Sequence, residues 1–83
     1  MNDKINKGYI ITDSVHVGDT EFVLGVSMHE SNQFVTWECK DGKEYYWGHY
    51  TDNSLKATVM FTETIEMYIT YLLLSNTVIT WQL

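Results

Sequence analysis

A chain of 83 residues, 45% of them apolar and 14% aromatic, holds one core and is too apolar to stay unfolded, which excludes a multi-domain protein and a disordered linker. Five lysines, no arginine and eleven acidic residues leave a net charge of −6, which argues against a direct grip on nucleic acid or an anionic membrane, since phosphate recognition relies on cationic side chains. The single cysteine, Cys39, has no internal partner, the first ten residues lack the apolar run of a signal peptide, and the run YLLL at 71–74 is too short to span a bilayer, so the chain reads as cytoplasmic.

In chain order, a first strand is expected over about 9–17, turning at Gly18-Asp19 into a second over 20–28. The segment HESN at 29–32 connects to a third strand over 33–40, and Asp41-Gly42 turns into a fourth over 43–50. Asp-Gly between strand-like runs is a strong hairpin signal, because both turn positions favour left-handed backbone. A two-residue loop there opposes Trp37 to Tyr46, and a four-residue loop at 29–32 opposes Leu24 to Trp37 and Phe22 to Cys39. One face then collects Tyr9, Ile11, Val15, Val17, Phe22, Leu24, Val26, Met28, Val35, Trp37, Cys39 and Tyr46. Asp13 is the misfit on that face, and a bulge near Asp13-Ser14 is the expected remedy.

The segment TDNS at 51–54 is rich in helix-capping residues and predicts a helix over about 54–74. Lys56, Glu63, Glu66 and Thr70 form its polar stripe, with Ala57, Phe61, Ile65, Tyr68, Ile69 and Leu72 on the other side. Residues 77–82 read as a last strand. The resulting single domain is α+β: an antiparallel sheet of four to five strands, order 4-3-2-1-5, with the helix covering the apolar face.

The opposite face is expected to be small and polar except for Phe34, Tyr45, Trp47 and His49, with Glu38 and Glu21 on the rim. Exposed contiguous aromatics mark contact sites, and Trp and Tyr are frequent binding hot spots; the competing reading is that they only stabilise the hairpin. Catalysis has less support. His16, His29, His49 and Cys39 have no metal-ligand spacing, Cys39 and His49 fall on opposite faces, and no phosphate loop or nucleophile elbow is present. No enzyme and no cofactor is therefore expected. The sequence favours a protein-binding module acting on another protein, with a basic partner permitted by the charge and a phage or mobile-element inhibitor of a host protein matching in composition. A homodimer burying the same patch is the alternative. An acidic nucleic-acid mimic is a further one, against which the scattered carboxylates and the interrupting Lys40 and Lys43 count.

Overall fold

A computed structural model describes residues 4–80, with side chains described through residue 75. Its elements are β1 (Ile5–Asn6), β2 (Tyr9–Val17), β3 (Thr20–Ser27), β4 (Phe34–Lys40), β5 (Glu44–Thr51) and α1 (Ser54–Thr80). All the strands join one antiparallel sheet in the order β1-β2-β3-β4-β5. The fold is thus α+β, but the expected order 4-3-2-1-5 is not the one formed. Residues 77–80 continue α1, residues 81 and 82 lie outside the described residues, and β1 takes the place beside β2. The physical reason is helix cooperativity: each further residue adds a hydrogen bond at little cost, and Ser75-Asn76 contains neither proline nor glycine to stop it. On the other side, Lys7 and Gly8 turn at φ 50° and 82°, folding β1 back to pair Asn6 with Tyr9.

The start of α1 follows its sequence signal. The Asn53 side chain accepts the Lys56 N–H at 2.9 Å, a helix N-cap. Three threonines that weaken helix propensity return their hydroxyls to carbonyls four residues back: Thr58 to Ser54 at 3.1 Å, Thr62 to Thr58 at 2.9 Å and Thr64 to Met60 at 2.8 Å.

Register decides the faces. The β2–β3 hairpin pairs Val17 with Thr20, Val15 with Phe22 and Asp13 with Leu24, and its ladder then shifts between Ile11 and Asp13, so the expected bulge falls at Thr12. The other two hairpins each start one residue away from expectation, and beyond the bulge in β4–β5 the difference grows to two, Val35 opposing Tyr50 rather than Gly48. At the first, Ser27 Oγ accepts the N–H groups of His29 and Glu30, drawing the chain out of the strand, while Met28 N–H turns to Gly8. Val23 therefore opposes Trp37, and Gly25 opposes Val35. At the second, Asp41 and Gly42 take φ of 56° and 68° as their types favour, but the ladder resumes only at Glu44, opposite Lys40.

A one-residue slip moves every side chain to the other face. Val23, Val35, Trp37 and Cys39 form the buried cluster, with Tyr9, Ile11 and Tyr45 packed against it. Phe22, Leu24 and Val26 instead share the opposite face with Thr36 and Glu38, and Tyr46 and Met28 are exposed. Tyr9 and Tyr50 lie on strands that a flat sheet would hold about 14 Å apart, yet their ring centroids are 5.8 Å apart. The sheet is therefore curled around Trp37, which meets Tyr9, Tyr45 and Tyr50 edge-on. The helix covers the face carrying Phe22, not the one carrying Trp37 and Cys39. Tyr68 joins the two layers, stacking edge-on against Phe22 and sharing a 3.1 Å hydrogen bond with Thr20. Among the described residues, no helix is long and apolar enough to cross a membrane.

Candidate functional site

The site is built on a second irregularity, in β4–β5. Thr36 opposes His49 and Glu38 opposes Tyr46, so the pair Trp47-Gly48 stands across from Trp37 alone. Gly48 is required there: a Cβ on it would lie 2.7 Å from Trp37 Nε1, closer than side-chain carbons approach, so the core indole rests on bare backbone. Trp47 takes the other half of the bulge, at φ 56°, and turns its indole outward. The left-handed region costs a side chain of this size about 1–2 kcal/mol, and Trp47 remains 73% exposed.

Beside Trp47 runs the seam between β4, β5 and α1. Glu38, His49, Phe61 and Thr64 line it, with Thr36 and Phe22 at its floor. Of the residues expected to form one patch, the fold brings Glu38, Trp47 and His49 together on this seam. Phe34 shares their face but lies at the far end of β4, opposite Val26 and Thr51. Tyr45 is a correction. The register slip places it on the Trp37 side, at a ring separation of 5.4 Å, rather than projecting away from the core.

A polar cluster at the rim of the curled face went unrecognised in the sequence. Glu21, expected on an open rim, is buried; it accepts the Ser14 hydroxyl and lies 3.7 Å from His16 Nε2. Burial, reinforced by the Glu21 carboxylate, pushes the Cys39 thiol up from its ordinary value of 9.0. Burial does the same for the Tyr45 hydroxyl, which bonds to Cys39. Cys39 is thus a protonated core thiol at neutral pH, the opposite of an activated nucleophile. Among the described residues, no group of three or more His, Cys, Asp and Glu side chains is placed to hold a metal ion. The shared parity of Ser14, His16 and Glu21 on β2–β3 was the signal available, but parity does not reveal burial.

Comparison with protein-family models, with curated proteins and with solved structures found no match to this chain.

Proposed function

We propose that the chain is a non-catalytic protein-binding module that docks on another protein through Trp47, with His49 and Glu38 along the adjoining seam. One observation carries the reading: a tryptophan is held in a conformation unfavourable to it, with 73% of its surface in solvent. Strain of this kind persists where the surroundings over-determine it and clusters at functional positions such as ligand clamps and switch regions. Burying the indole in a partner's pocket is the gain that offsets it, as Trp is among the side chains that dominate binding. Glu38 and His49 supply polar contacts at the edge of such a pocket.

The test is affinity capture from a lysate, wild type beside Trp47→Ala, followed by the dissociation constant of whatever is captured. A partner held by the wild type and weakened about 30-fold or more by the substitution, equivalent to about 2 kcal/mol, supports the module. Equal capture by both proteins contradicts it.

A further inference from the structure

We propose that two copies of this chain associate through the outer face of α1 around Met67, Tyr71 and Leu74, with the two helices antiparallel. This surface adjoins the Trp47 seam, since Met67 also lines a cavity with Glu38 and His49, but it does not include Trp47 and does not rest on the function proposed for that residue. Its starting point is shape. The helix has 27 residues, about 40 Å of length, whereas β2, with nine, spans about 30 Å. The radius of gyration is 14.8 Å, against about 12 Å for a compact domain of 83 residues.

The accessible surface is correspondingly large, at 6132 Å². A compact monomer of 9.7 kDa exposes about 5,100 Å², so this chain carries an excess of about 1,000 Å². Each partner in a standard-sized interface contributes about 800 Å². The excess is what one such interface needs.

Part of the exposed apolar surface lies on α1. Met67, Tyr71 and Leu74 are 73%, 64% and 62% exposed and, with Thr70, form a shallow groove bounded by Glu63 and Glu66. Their spacing of four and then three residues is that of a helix–helix seam. Charge then selects the occupant and its direction. A parallel pair would set Glu63 and Glu66 against their own copies. An antiparallel pair centred between Thr70 and Tyr71 sets Met67 of one copy against Leu74 of the other and Glu66 against Ser75, keeping the carboxylates apart. It also directs the two sheets toward opposite ends of the helix pair, and it is a twofold, self-complementary contact of the kind homodimers use. A lipid surface fits less well, because Lys56 is the one basic residue among the described positions of α1 and interfacial helices carry a basic polar face.

Sedimentation equilibrium of the full chain, from low to high micromolar concentration, tests this. The expected mass is twice 9.7 kDa for the wild type and for Trp47→Ala, and once 9.7 kDa for the double substitution Met67→Glu, Leu74→Glu. Both altered side chains are exposed, so the far-UV circular dichroism of the double variant should match the wild type. A wild type that stays monomeric throughout, a dimer that survives the double substitution, or a dimer lost on Trp47→Ala would each overturn the proposal. Direction has its own readout: an oxidised mixture of Glu66→Cys and Ser75→Cys chains should yield the mixed disulfide dimer. Self-linkage of Glu66→Cys alone would overturn the antiparallel arrangement. Cys39 is buried and does not compete.

Discussion

Two tryptophans ten residues apart, on neighbouring strands, have opposite roles, and Gly48 is the hinge between them. Trp37 is 4% exposed and touches Gly48 backbone where a methyl group would clash. Trp37→Ala should lower stability by about 3–5 kcal/mol in urea unfolding, enough to unfold a chain of this size. Gly48→Ala should cost about 1–3 kcal/mol by the same measurement, because the added carbon forces the Trp37 indole aside. The Cys39 thiol gives a prediction in pH. Its folded pKa lies above the unfolded one, so the folded state holds the proton more tightly. The stability this contributes is fully present below the ordinary thiol value of 9.0 and is lost as pH rises past it toward the folded value. Tyr45, raised mainly by burial, shifts in the same direction from 10.0. Unfolding midpoints measured between neutral pH and pH 10 should fall with pH. Cys39→Ala and Tyr45→Phe together should flatten that fall; an unchanged slope in the double variant would exclude these groups as its source.

At the level of elements, legibility followed the local signals. The Gly18-Asp19 turn and the Asp13 misfit led to the correct β2–β3 pairing and to a bulge within a residue or two of its position. The Asn53 cap was legible for the same reason, a capping side chain at the end of a strand. Asn53→Ala should lower stability by about 1 kcal/mol in thermal or urea melts, and no change would mean the cap contributes nothing. The two slipped registers were not legible. One depends on Ser27 recruiting two backbone N–H groups, the other on an extra residue after a turn whose own chemistry was read correctly. The register that forms opposes Phe22 to Glu38, Leu24 to Thr36 and Tyr46 to Glu38, so hydrophobic pattern alone favoured an alternative that does not form. The end of α1 lacked a stop signal, and the β-branched residues after Asn76 read as a strand because propensity is a weak prior against helix continuation.

At the scale of the molecule, curling separates the two sides of the sheet. The concave side closes on Trp37 by itself, which leaves α1 to cover Phe22 and Thr36 and to expose its outer face. The sequence places aromatic residues on both sides of the sheet without revealing that one side needs no helix, since curvature is a property of several strands together. Trp47 is turned outward from this scaffold and 73% exposed, so the contact proposed for it uses a side chain that the core does not bury. The most direct test is the urea unfolding free energy of Trp47→Ala beside the wild type. The expected change is within about 0.5 kcal/mol, or a modest gain as the left-handed strain is relieved. A loss of about 2 kcal/mol or more would make Trp47 part of what holds the fold together and would contradict the contact role proposed for it.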